Sequence, residues 1–127
     1  MELTVLVCLA STSVHRDEAI SMQPLKQASA LEDVQRYVAD MEVERGFTDS
    51  TVLEQSLKLG EEVGELFKAV RKHANMSIDA KSVVGTVDEE LADVLIYLCA
   101  IANRLGISLD EALRRKEAVN ETRSWVS

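Results

Sequence analysis

The sequence predicts an all-α protein built as a four-helix bundle. Gly and Pro are scarce, with five glycines and the single Pro24 in 127 residues, so little interrupts a helix after residue 24. Apolar residues make up 46%, charged residues 28% and aromatics only 4%, a balance suited to a helical globular core. The apolar positions recur at three- and four-residue spacings along several long runs. A chain of this length fits one domain with a real hydrophobic core.

Residues 1–24 read as an N-terminal extension without an assigned role, and 25–127 as the helical domain. The opening run Met1–Ala10 is far short of the roughly 20 residues that span a bilayer. It also carries Glu2 where a secretory signal needs positive charge. Residues 11–24 are polar and turn-prone, and Met22 is an alternative natural start. No targeting signal is read, so the cytoplasm is the expected compartment. Cys8 and Cys99 are too few and too scattered for a disulfide framework, which suits a reducing compartment.

The first helix is expected from about Leu25 to Glu44, with Leu31, Val34, Tyr37, Val38 and Met41 on one face and Gly46 as its stop. The second should start at Asp49 or Ser50, both good caps, and run to about Ala74 along Val52, Leu59, Val63, Leu66 and Val70. Residues 75–85 show no period and read as a loop. A third helix is expected from Thr86, which forms a capping box with Glu89, to Gly106. Ser108 and Glu111 form a second such box for a fourth helix ending near Arg123. The run Val94–Ala102 makes the third helix apolar on more faces than a monomeric bundle needs, which agrees with a homo-oligomer.

The net charge is −8, from 22 acidic and 14 basic residues. That balance argues against binding a nucleic-acid backbone, which needs a basic patch. A small phosphorylated ligand stays open, because a divalent ion inverts the local charge.

The acidic residues are arranged. The second helix carries Glu61-Glu62-Val63-Gly64-Glu65 and the third Glu89-Glu90-Leu91-Ala92-Asp93. Glu62 and Glu65 sit about 60° apart on one helical face, with Lys58 between them, and Glu90 and Asp93 repeat the relation with Tyr97 one turn on. One such pair on a helix is ordinarily a solvated surface. Two pairs facing each other inside a bundle repel unless a cation joins them. Oxygen ligands without His or Cys select Mg²⁺ or Mn²⁺ over zinc or iron. The two histidines, His15 and His73, lie outside both motifs and read as surface residues.

These residues resemble the all-α, MazG-like nucleoside triphosphate pyrophosphohydrolases. The family pattern is Glu-Glu-x-x-Glu, a variable spacer, then Glu-x-x-Asp. Here Glu61, Glu62 and Glu65 precede 24 intervening residues, then Glu90 and Asp93. The stretches "LKLGEEVGEL", "DEELADVLIYL", "GISLDEAL" and "KEAVNETRSW" match as well, so the likeness spans roughly residues 28–125. It implies that Glu62, Glu65, Glu90 and Asp93 bind Mg²⁺, with Mn²⁺ able to substitute. Glu61 would orient or deprotonate a water that attacks the α-phosphorus of a nucleoside triphosphate, releasing monophosphate and pyrophosphate. Lys58, Lys116, Asn120 and Arg123 would contact the phosphates or the nucleotide. Phe47 stands where the family's Glu-Arg-Gly-Trp has its aromatic, near the base. The basic residues also fit a helix C-terminus favoured by the macrodipole, and Phe47 also fits a hydrophobic staple.

The resemblance further implies a homodimer or homotetramer that acts on the nucleotide pool; the acidic balance and the short apolar run lead us to expect no nucleic-acid or membrane partner. The substrate would be nucleoside triphosphates broadly, or one narrowed choice such as dCTP, dUTP or a damaged nucleotide. The alternative is a non-enzymatic helical interaction module whose acidic face is merely solvated. Metal-dependent release of pyrophosphate separates the two.

Overall fold

The computed structural model describes residues 22–126, which hold four helices and no strand: α1 Leu31–Glu44, α2 Val52–His73, α3 Val87–Arg104 and α4 Leu109–Asn120. The opening apolar run and the polar segment that follows, through residue 21, lie outside the described residues.

Helix α1 begins six residues later than the apolar pattern suggests. Ala28 takes a left-handed backbone at φ 55°, which no helix accepts, and the Ser29 hydroxyl closes a turn on the Lys26 carbonyl at 2.6 Å. The Asp33 carboxylate then accepts the Ala30 N–H at 3.3 Å. Gly46 ends the segment at φ 74°, the conformation expected of it.

Helix α2 is capped by neither Asp49 nor Ser50 but by Thr51. The Thr51 hydroxyl accepts the Glu54 N–H at 3.2 Å, and the Glu54 carboxylate accepts the Thr51 N–H at 2.7 Å. Only Thr51 has a glutamate three residues on, so the reciprocal box settles the start. At α3 the Glu89 carboxylate accepts the Thr86 N–H at 3.0 Å. At α4 the Ser108 hydroxyl accepts the Glu111 N–H at 3.2 Å. Helix α4 stops at Asn120 rather than near Arg123, because the chain tightens into three-residue turns from Thr122 to Val119 and from Arg123 to Asn120.

Helix α3 is the centre of the molecule. Helix α2 packs along it, α1 packs on it from another side, and α4 leans on α1. Helix α4 bends away from α3 by 98°, so it crosses the other helices rather than lying alongside α3 as a fourth stave. Val38 and Met41 from α1 meet Cys99 and Ala100 from α3 in the buried core, with Val34, Tyr37, Ile96 and Leu109 packed around them.

Two polar groups lock this packing. Gln35 is buried and fully bonded: its amide donates to Asn103 at 3.1 Å and to the Ile107 carbonyl at 2.9 Å, and its oxygen accepts the Leu109 N–H at 2.7 Å. Arg104 donates to both oxygens of the buried Glu42, at 2.8 and 2.9 Å. The same guanidinium donates to the Ser50 carbonyl at 2.6 Å and the Phe47 carbonyl at 3.0 Å. One side chain therefore fixes the α1–α2 loop against α3. No single helix among the described residues is long and apolar enough to cross a membrane.

Candidate active site

The α2–α3 contact brings the two acidic motifs face to face. Glu62, Glu90 and Asp93 each place one carboxylate oxygen within 4.8 Å of the others. A divalent ion with bonds of 2.0–2.6 Å needs oxygens up to about 4–5 Å apart, so the three can share one. Among the described residues no His or Cys joins them, and an all-carboxylate set fits a hard cation.

Their surroundings differ. Glu90 is buried in the first turn of α3, where the helix dipole favours a negative charge. Its carboxylate lies against Gly85, in space that a Cβ there would fill. Glu62 is half-buried, and Asp93 is exposed. Burial, then the charges of Asp93, Glu90, Glu65 and Glu61 in falling order, hold the Glu62 carboxyl above its ordinary value. Tyr97 is raised by burial first and then by Glu62, Asp93, Glu61 and Glu42, so its hydroxyl keeps its proton and can donate.

Of the other expected ligands, Glu65 stands outside this trio and pairs with Lys68 at 2.8 Å. Its partner sits three residues on, a spacing as favourable for an ion pair as for a shared metal. Glu61 is exposed on α2 beside Glu62.

Next to the carboxylates a cavity of about 160 Å³ opens, bordered by Phe47, Lys58, Asp93 and Tyr97 together with Glu42, Arg45 and Gln55. Phe47 and Lys58 are thus placed with one of the expected ligands, and the Lys58 Nζ lies 5.9 Å from the centre of the Phe47 ring. The residues of the C-terminal pattern are placed elsewhere. Lys116 and Arg123 are exposed, and Asn120 donates to Glu117 at 2.7 Å while its own side-chain oxygen is buried without a partner. None of the three borders this cavity.

Sequence reasoning missed Gln55, Glu42 and Arg104. Gln55 is 3% exposed and lies seven residues before Glu62, two turns along the inner face of α2, so its spacing offered a signal. The Glu42–Arg104 pair spans 62 residues, and nothing local announces it.

The chain is therefore an all-α protein whose two central helices bring acidic side chains into a group able to hold a cation. Residues 50–124 match the family model for the MazG nucleotide pyrophosphohydrolase domain, and the chain belongs to that family. It is 40% identical over 68 residues to a dATP/dGTP diphosphohydrolase of Cyanophage S-2L, covering 54% of this chain and 52% of that protein. A protein of the same name from Salmonella phage PMBT28 is 31% identical over 121 residues, covering 86% of this chain and 37% of its own length. The chain thus spans about half or less of these relatives. The crystal structure of iMazG from Vibrio DAT 722 superposes with a TM-score of 0.54 at 32% identity, over 74% of this chain and all of the other.

Proposed function

We propose that this chain hydrolyses deoxynucleoside triphosphates to the monophosphate and pyrophosphate with Mg²⁺, as a nucleotide-pool enzyme of the cytoplasm. The observation that supports this most is the convergence of Glu62, Glu90 and Asp93 beside a cavity carrying Phe47 and Lys58, in a member of this family. The two phage relatives are named for dATP and dGTP, which favours a purine substrate here.

A bound Mg²⁺ offsets phosphate charge and stabilises the attacking and leaving oxygens. Glu62, Glu90 and Asp93 would hold it, with Glu65 joining once it leaves Lys68. Glu61 lies about 100° around α2 from Glu62, so it is free to act on water instead. It orients that water toward the α-phosphorus and takes its proton. Lys58 draws the polyphosphate toward the carboxylates, and Phe47 offers the base a stacking face. Lys116, Asn120 and Arg123 are the phosphate contacts that the family pattern adds, although none borders the cavity. The enzyme works as a homo-oligomer; supporting this is the apolar stripe of Leu53, Leu57 and Phe67 left exposed on α2.

The test is a panel of ribo- and deoxynucleoside triphosphates with Mg²⁺, with products separated by chromatography. Monophosphate with pyrophosphate is expected, and diphosphate with orthophosphate would overturn the reading. A base contributes about 10²–10⁴ in rate, so Glu61→Gln should cost that much turnover and leave Mn²⁺ affinity intact by calorimetry. Glu65→Gln should weaken the metal instead; equal losses of affinity would make Glu61 a ligand.

A further inference from the structure

Two glutamines are buried in this molecule, and they are treated in opposite ways. Gln35, in the α1–α3–α4 corner, has every polar atom of its carboxamide engaged. Gln55 is 3% exposed, yet among the described residues its carboxamide has no hydrogen-bond partner. Nor are its polar atoms sealed from solvent, for the only fully enclosed unpaired side-chain atom belongs to Asn120 among those residues. What Gln55 borders is the cavity shared with Phe47, Lys58 and Asp93. Buried polar groups in proteins almost always have partners, and with none from the described residues this carboxamide is left to the solvent of the cavity. A group in this state is one that a ligand completes.

The cavity limits what that ligand part can be. At about 160 Å³ it is smaller than the roughly 300–1,000 Å³ that encloses a whole small molecule, so it seats a fragment. Its lining includes Asp93 and Lys58, the metal and phosphate side, and Phe47, 47% exposed with the Lys58 Nζ 5.9 Å from its ring centre. A flat ring can stack on the exposed Phe47 face beside them. A carboxamide presents one donor beside one acceptor, which is how glutamine pairs with the amino group and ring nitrogen of adenine. Rotated by 180° it meets the carbonyl and ring N–H of guanine equally well.

We propose that Gln55 is the nucleobase-reading residue of this chain, its carboxamide pairing with the donor–acceptor edge of a purine seated against Phe47. This rests on the reading of the site as a nucleotide site, and it adds why one pocket takes both purines: a single flippable amide serves either.

Binding tests this apart from catalysis. Wild type and Gln55→Met are titrated calorimetrically with non-hydrolysable dATP and dGTP analogues and with inorganic pyrophosphate, all in Mg²⁺. The substitution should weaken both nucleotide analogues on the order of 10-fold or more, the worth of one bidentate base contact, and leave pyrophosphate unchanged. It should also melt no earlier than wild type, since the carboxamide it replaces holds no other described residue in place. Equal weakening of all three ligands, unchanged nucleotide affinity, or a clear loss of stability would each overturn the assignment. A wild type that binds the analogues but releases no pyrophosphate from dATP or dGTP would overturn the proposed hydrolysis and leave the role of Gln55 standing.

Discussion

Glu62 is the one carboxylate among the described residues held above its ordinary value, since burial and four acidic neighbours all oppose its charge. Its folded-state value therefore lies above the ordinary 4.5 that it keeps when unfolded. Between those two values the folded chain holds a proton that the unfolded chain has lost, so metal-free stability falls as pH rises through that window. Glu62→Gln removes the repulsion together with a proposed metal ligand. It should abolish pyrophosphate release while raising the metal-free melting temperature at neutral pH, and that gain should vanish below about pH 4, where both forms are uncharged. Thermal melts in EDTA across pH, beside an activity assay, check both halves. A gain that persisted unchanged in acid would remove the repulsion as its cause. At this scale the three-residue spacings made Glu62, Glu90 and Asp93 legible, because both motifs lie on the faces that pack. The pairing of Glu65 with Lys68 was not, because one spacing serves a metal and an ion pair alike.

Between elements, the apolar periods foretold four helices and the loop at 75–85, while several of their ends were decided by single side chains. Left-handed Ala28 delays α1, the Thr51–Glu54 box selects the start of α2, and both respond to geometry that a periodic pattern does not contain. Arg104 shows how much one such side chain holds. It pairs with buried Glu42 and binds two carbonyls of the α1–α2 loop, with its own side chain 14% exposed and that of Glu42 10%. Removing one partner of a buried pair costs about 3–5 kcal/mol, so Arg104→Ala should destabilise by roughly that amount in urea unfolding. A loss below about 1 kcal/mol, the range of a surface pair, would show that the clamp is solvated. The loop into α3 has a subtler part. A Cβ on Gly85 would collide with the tip of Glu90, a side chain flexible enough to move aside. Gly85→Ala should therefore fold but displace that carboxylate from Glu62 and Asp93, weakening Mn²⁺ binding by calorimetry with little change in melting temperature.

At the scale of the whole fold, the described residues bury little and expose much. Its core is small, with Val38 and Cys99 the largest side chains fully enclosed among the described residues. Meanwhile Leu53, Leu57 and Phe67 of α2 lie exposed on one helical face, and Leu91, Leu95 and Leu98 of α3 form a second exposed stripe. On each helix this stripe lies opposite the side that carries Glu62 or Asp93, so the carboxylates face inward while the leucines face out. The excess of apolar faces on the third helix was visible in the sequence. Which face stays uncovered was not, because that depends on where α1 and α2 settle. Contiguous apolar surface of this kind is characteristic of an interface, and in the proposed homo-oligomer a second copy of the chain would offer the matching stripes. Leu57→Lys combined with Leu95→Lys places two charges on that surface without touching any carboxylate of the site. Burying an unpaired charge costs about 3–5 kcal/mol, so the dissociation constant of the assembly should rise on the order of 100-fold or more. Sedimentation should then find wild type as a dimer or tetramer and the double variant as a monomer at micromolar concentration. Helical content by circular dichroism should stay the same in both. A double variant that sediments with wild type would move the interface to another face of the molecule.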